Sequence, residues 1–197
     1  MIILLLLLTR NPIILISVAL YSAVSYYFLR HPELLHERSI SAEHLCSKVH
    51  ALTIFGHRSG SADFLENTLG AYMATDKLRE KYDKEGITLA VETDSRMSKD
   101  GVVFTVHDAT FLRASGVDKK VSETDAKDFP MIKEGPLKIE FGGFYDVKES
   151  DDRTYCPLET LYQRTSKDLL IQMEIKEAAK SPEHVRKICQ LIKKYDR

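Results

Sequence analysis

The sequence predicts an α/β domain of about four βα units, preceded by an N-terminal transmembrane helix. Two observations lead to this fold class. From residue 51 onward, short apolar runs alternate with helical stretches, which is the pattern of βα units. At the N-terminus, residues 13–29 form one long uncharged run, whereas every acidic residue lies beyond residue 30. The chain therefore contains two regions of different character, residues 1–30 and 51–197.

Residues 1–30 are predicted to be a transmembrane signal anchor. The uncharged run at 13–29 reaches the lower limit for crossing a bilayer, roughly 17 residues, and Arg30 ends it. A cleaved signal peptide is a competing interpretation, although the first eight residues lack the positive charge with which such a peptide begins. A buried core helix is a third, and the absence of an amphipathic stripe argues against it.

The flanking charges predict an orientation for this anchor. Arg30, Arg38 and Lys48 follow the run and only Arg10 precedes it, which favours a cytosolic domain. We therefore expect a single-pass protein of the endoplasmic reticulum or another endomembrane, held to the membrane by its N-terminal helix. Residues 31–50 are predicted to be a juxtamembrane linker.

The charge balance and the cysteine content exclude some classes of partner and of fold. The chain has 28 Lys+Arg against 29 Asp+Glu, so it lacks the broad basic face typical of nucleic-acid binding. We expect no nucleic-acid partner. Its three cysteines contain no CxxC pair, and their number is odd, so they do not suit a scaffold of paired disulfides.

Four strands are predicted in the second region, at residues 51–55, 87–93, 102–106 and 169–175. An amphipathic helix is predicted at 67–84. A second helix is predicted at 182–194, with Ser181 as its N-cap and Pro182 in its first position. Residues 109–167 are polar and rich in turns, and this length predicts an insertion that covers a functional site.

Polar residues lie at the end of each predicted strand or directly after it. Since the carboxyl ends of parallel strands meet at one edge, these side chains should converge there. The residues are His57, Arg58, Glu92, Asp94, His107, Glu174 and Lys176.

The three carboxylates predict a metal site. Glu92 and Asp94 are two residues apart on a strand and so share a face, which Glu174 can approach from another strand. Three carboxylates in one place repel one another unless a cation neutralises them, and oxygen ligands favour Mg²⁺ or Ca²⁺ over Zn²⁺. The sequence does not choose between these two ions.

The remaining groups suit phosphodiester cleavage. His57 and His107 can transfer protons near neutral pH, and Arg58 and Lys176 can bind a phosphate.

Several motifs together resemble the glycerophosphodiester phosphodiesterase family. They occur in the family's order and approximate spacing, and they are His57-Arg58, Glu66-Asn67-Thr68, Glu92-Thr93-Asp94, Ser98-Lys99-Asp100-Gly101, His107-Asp108 with Arg113 and Gly116, and Glu174-Ile175-Lys176. The N-terminal run followed by residues 29–36 is similar to the membrane-anchored, lysophospholipase D-type members.

This resemblance implies a metal-dependent TIM barrel of the PLC-like phosphodiesterase type. It would hydrolyse glycerophosphodiesters or lysophospholipids to a phosphomonoester and an alcohol, by attack of water or of a neighbouring substrate hydroxyl. The resemblance implies a general acid/base pair, His57 and His107, and a phosphate site, Arg58 and Lys176. It implies one divalent cation on Glu92, Asp94 and Glu174.

Two features depart from the family pattern. Ser59 follows His57-Arg58 where the family usually has glycine. A complete barrel takes about 250 residues and eight strands, whereas 51–197 supplies about half of those strands, so we expect a C-terminally truncated barrel. The alternative function is therefore a catalytically inactive, membrane-tethered fragment or binding module.

Overall fold

The computed structural model describes residues 12–31, 34, 49, 52–140, 142–176 and 181–197. The chain divides into two compact units, Met1–Lys48 and Val49–Arg197. The predicted linker at 31–50 lies outside the described residues except for positions 31, 34 and 49.

In the first unit the structure describes one long helix, α1, Pro12–Arg30. Within the described part of the chain, no helix has both the length and the apolar character needed to cross a bilayer. The predicted single-pass membrane location is therefore wrong, and no transmembrane helix is shown. Hydroxyl-bearing side chains divide the apolar run into short segments, at Ser17, Tyr21, Ser22, Ser25, Tyr26 and Tyr27.

The second unit is built on a five-stranded sheet with a separate two-stranded hairpin. Its strands are β1 (Leu52–Gly56), β2 (Ile87–Met97), β3 (Val103–Thr105), β4 (Gly135–Lys138), β5 (Phe144–Val147), β6 (Cys156–Pro157) and β7 (Ile171–Ile175). Its helices are α2 (Leu69–Lys84), α3 (Leu112–Ser115), α4 (Leu158–Arg164) and α5 (Pro182–Tyr195). The sheet order is β1-β2-β3-β6, β7 also pairs with β2, and β4 and β5 form the hairpin.

Strand direction differs from the prediction at β3. The strands β1 and β7 run parallel to β2, as expected, but β3 runs antiparallel to it. A parallel connection needs a crossover of a dozen or more residues, whereas only the turn at 98–102 joins β2 to β3. Gly101 in this turn has φ 84° and donates its backbone N–H to the Ser98 carbonyl at 3.0 Å. The short turn therefore sends the chain back along β2.

The main helices begin close to their predicted starts. The Thr68 hydroxyl accepts the backbone N–H of Ala71 and caps α2. The Ser181 hydroxyl accepts the backbone N–H of His184, so the predicted cap of α5, with Pro182 in its first turn, is confirmed. Buried Ile188 joins α5 to the core formed with β2 and α4.

Residues 109–167, predicted to be an insertion that covers the site, also contribute a strand to the main sheet. They contain α3, the β4–β5 hairpin, β6 and α4, and β6 extends the main sheet by pairing with β3. An aromatic cluster fastens them to β3, because Phe129 stacks on Phe104 at 4.2 Å and contacts Phe111 and Tyr155 edge to face. The hairpin joins the same hydrophobic core as β3 through Leu137 and Val147.

Candidate active site

A strained turn after β1 positions the first two site residues. In the segment His57–Ser59, Arg58 has φ 48° and Ser59 has φ 61°, so two non-glycine residues adopt the left-handed conformation. The Arg58 backbone N–H donates to Glu92 Oε2 at 2.9 Å, and the buried Ser59 hydroxyl lies 3.3 Å from that of Thr75. The serine that departs from the family pattern thus occupies a conformation that glycine adopts with less strain.

Arg58 is 2% exposed, and its guanidinium lies close to three carboxylates. Its Nη1 lies 3.4 Å from Glu66 Oε1, its Nε lies 3.7 Å from Asp94 Oδ2, and its Nη2 pairs with Glu140 Oε2. Within the described part of the chain, the buried Nε makes no hydrogen bond. The Nε therefore interacts with Asp94 through charge alone, because 3.7 Å is too long for a hydrogen bond.

Sheet register brings the three predicted metal ligands together. Asp94 on β2 is the direct partner of Glu174 on β7, and Glu92 lies two residues earlier on the same face. One oxygen from each residue lies within 4.8 Å of the others. Three carboxylate oxygens are a donor set that fits a hard divalent cation, and this set alone does not select Mg²⁺ or Ca²⁺.

Lys176 lies against two of these carboxylates. Its Nζ is 3.1 Å from Asp94 Oδ1 and 2.7 Å from Glu174 Oε1. Burial lowers the pKa of Lys176, but hydrogen bonds and charge from the two carboxylates outweigh burial and raise it. Lys176 therefore keeps its positive charge beside the carboxylate cluster at neutral pH.

His107 reaches the site because β3 is antiparallel. The Val106 backbone N–H donates to the Asp94 carbonyl at 3.0 Å, so the residue after it lies near the end of the parallel strands. The Nε2 atoms of His57 and His107 lie 3.9 and 3.8 Å from the same atom, Glu140 Oε2. The structure thus places both imidazoles within 4 Å of one position, next to Arg58.

A series of ion pairs holds His107 in place through its Nδ1 atom. Its Nδ1 lies 2.9 Å from Asp108 Oδ1, and Arg113 Nε donates to Asp108 Oδ2 at 2.6 Å. Arg113 also binds the buried Glu66, which in turn contacts Arg58. Burial raises the pKa of Asp108, but the hydrogen bond from His107 and the charge of Arg113 outweigh burial and lower it to about 2.

A family model for glycerophosphoryl diester phosphodiesterases matches residues 57–196, which include every candidate site residue. The chain belongs to this family. The match begins at the first histidine of the site.

Curated relatives of the family give a narrower comparison. Lysophospholipase D GDPD3 of Homo sapiens is 30% identical over 177 residues, covering 90% of this chain and 49% of the relative. Lysophospholipase D GDPD1 of Homo sapiens is 27% identical, covering 90% and 50%. The chain thus spans about half the length of the curated relatives it matches.

Solved structures of the family show the fold. A phosphodiesterase from Oleispira antarctica, in complex with the product sn-glycerol-3-phosphate, has a TM-score of 0.51 at 19% identity, covering 74% of this chain and 53% of that one. The glycerophosphoryl diester phosphodiesterase domain of a Mycobacterium tuberculosis protein has a TM-score of 0.51 at 13% identity, covering 73% and 48%. These likenesses support a TIM-barrel-like α/β fold.

Asn67 contacts the candidate site, although no role was predicted for it from the sequence. Its Nδ2 donates to Asp94 Oδ2 at 3.1 Å, and its Oδ1 accepts from the hydroxyls of Tyr72 and Thr93. Burial raises the pKa of Tyr72, so this hydroxyl stays protonated and donates. Asn67 therefore orients Asp94, a predicted metal ligand. Its position between Glu66 and Thr68 in a motif of the family is the sequence feature that could have indicated this role.

Glu140 and Asp108 also escaped the prediction of site residues. Asp108 could have been found, because a carboxylate directly after a strand-end histidine can reach its Nδ1. Glu140 gave no such signal, since it lies in the loop between β4 and β5, far along the chain from both histidines.

Proposed function

We propose that this chain carries the catalytic face of a divalent-cation-dependent phosphodiesterase. The observation that carries the proposal is the position shared by His57 and His107, whose Nε2 atoms both lie within 4 Å of Glu140 Oε2. An acid and a base that flank one position can serve the two sides of a phosphodiester. Arg58 pairs with the same oxygen of Glu140, and the Nε2 of His57 also lies 4.0 Å from Glu92 Oε2 of the carboxylate cluster.

The two imidazoles would move the protons of the hydrolysis. One accepts a proton from the attacking hydroxyl, either of water or of a neighbouring substrate group, as its oxygen bonds to phosphorus. The other donates a proton to the departing alcohol oxygen as the second P–O bond breaks. Since ionised Asp108 can only accept, the Nδ1 of His107 must carry a proton, which leaves Nε2 for this transfer.

Arg58 and Lys176 would bind the phosphate. Arg58 supplies a guanidinium whose Nε is buried without a hydrogen bond among the described residues, and Lys176 supplies an ammonium beside the carboxylates. Glu92, Asp94 and Glu174 would hold the cation. Bound there, the cation would offset negative charge that develops on the phosphoryl oxygens.

The substrates we propose are glycerophosphodiesters or lysophospholipids. The names of the two human relatives and the glycerol-3-phosphate product in the Oleispira antarctica structure support this class. Hydrolysis of lysophosphatidylcholine, for example, would give lysophosphatidate and choline.

The test is choline release from lysophosphatidylcholine by the purified chain with Mg²⁺ or Ca²⁺. We expect turnover that a chelator abolishes and that both His57→Ala and His107→Ala lose. The control is Glu149→Gln, which removes one charge at an exposed site outside the ion-pair network and should retain turnover. Turnover that survives both histidine substitutions would refute the assigned roles.

The alternative, a non-catalytic binding module, gives a different result in the same experiment. It predicts no choline release with either cation, while glycerophosphocholine still binds saturably by calorimetry. Such binding should weaken in Arg58→Ala, because the phosphate would then lose the buried guanidinium.

A further inference from the structure

Glu140 lies where the proposed function needs an anion. Its Oε2 pairs with Arg58 Nη2 and lies 3.9 Å from His57 Nε2 and 3.8 Å from His107 Nε2. One carboxylate oxygen thus faces the proposed phosphate-binding arginine and both proposed proton-transfer groups. Among the described residues, every ion pair of Glu140 is with one of these three side chains.

The exposure of the two side chains indicates which partner of the Arg58–Glu140 ion pair can move away. Arg58 is 2% exposed and is held by Glu66 through its side chain and by Glu92 through its backbone N–H. The Glu140 side chain is 46% exposed. It lies in the loop of a hairpin, two residues before Gly142, which has φ 95°. A ligand that needs the guanidinium must displace the carboxylate.

A cavity of about 300 Å³ adjoins this ion pair. It is lined by Arg58, His107, Asp108, Arg113, Lys138, Ile139 and Glu140. Ile139 and Glu140 both belong to this lining, so a Glu140 carboxylate displaced from Arg58 would stay attached to the wall of the cavity. Its charge therefore still acts on whatever occupies the anion position.

We propose that Glu140 is an internal anionic competitor that determines which phosphate ligands the site retains. This inference rests on the proposed function. A phosphodiester substrate carries one negative charge, whereas its phosphomonoester product carries close to two at pH 8. Because repulsion from the displaced carboxylate scales with ligand charge, Glu140 disfavours the product more than the substrate.

The test compares wild type with Glu140→Gln, which keeps the shape and an oxygen acceptor for Arg58 while removing the charge. Binding of sn-glycerol 3-phosphate and of dimethyl phosphate, a monoanionic diester, is measured by calorimetry at pH 8 under identical cation conditions. We expect the affinity for sn-glycerol 3-phosphate to be at least about tenfold higher in Glu140→Gln than in wild type. The affinity for dimethyl phosphate should rise only about threefold. Circular dichroism and the unfolding temperature establish that both proteins are folded.

Glu149→Gln is the matched control. It removes the same charge from an exposed residue outside the ion-pair network and should leave both affinities unchanged. The inference alone would be overturned if wild type binds both ligands and Glu140→Gln either gains affinity equally for the two or gains none. Failure of both proteins to bind either phosphate would overturn the proposed function together with the inference.

Discussion

The Nδ1 atom of His107 lies 2.9 Å from Oδ1 of Asp108, whose second oxygen accepts a hydrogen bond from Arg113 Nε at 2.6 Å. This geometry holds the imidazole in place, with its Nε2 3.8 Å from Glu140 Oε2. The relationship concerns adjacent residues, yet it depends on Arg113 to hold the carboxylate in place. Asp108 is therefore a positioning residue in the proposed reaction.

Replacement of Asp108 by asparagine should impair turnover without preventing substrate binding. An amide can present its NH₂ group to Nδ1 and favour the opposite tautomer, so Nε2 would carry the proton instead. We expect kcat to fall at least about tenfold with little change in KM, and the pH profile of kcat to shift. Exposed Asp118→Asn is the control. A change in KM alone would contradict the positioning role.

The same carboxylate should make stability depend on pH. Its pKa in the folded protein is lowered to about 2 from an ordinary value of 3.8. Its contribution, about 2 kcal/mol, is present above pH 4 and is lost as pH falls from about 4 to 2. In denaturant titrations, the stability difference between wild type and Asp108→Asn should shrink over that interval. A constant difference from pH 6 to pH 2 would exclude this linkage.

A divalent cation should stabilise the folded chain through its carboxylate cluster. At a hundred times the dissociation constant, binding should add about 2.7 kcal/mol to the free energy of unfolding. The Glu174 side chain is 60% exposed, so Glu174→Ala should fold but lose most of this gain. Thermal unfolding with and without Mg²⁺ or Ca²⁺ measures the effect, and Glu149→Gln should keep it. An equal gain in Glu174→Ala would contradict the assigned ligand.

Asn67 should contribute to stability through its side chain and its backbone. Asn67→Ala and Asn67→Gly both remove a donor to buried Asp94 and an acceptor for two hydroxyls, which should cost about 2–3 kcal/mol. Because Asn67 has φ 55°, the alanine variant should be less stable than the glycine variant by about 1 kcal/mol. Chemical denaturation compares the two. An alanine variant as stable as the glycine variant would show that the left-handed backbone is not retained.

Local sequence patterns predicted most of the secondary structure. Thr68 and Ser181 carry hydroxyls that cap the helices after them, and such caps depend on residues within a few positions. The membrane location predicted from residues 13–29 was wrong, because within the described residues no helix is both long enough and apolar enough to cross a bilayer.

By itself, the sequence determined the family and the residues that meet at the strand ends. Glu92 and Asp94 share a face because they are two apart on a strand, and parallel pairing of β2 with β7 adds Glu174. Tertiary structure alone decided the reversal of β3 and the ionic partners of Arg58. Arg58 and Glu140 are 82 positions apart, and Arg113 and Glu66 are 47 apart. Such pairs form only when packing brings distant segments together, so no local spacing predicts them.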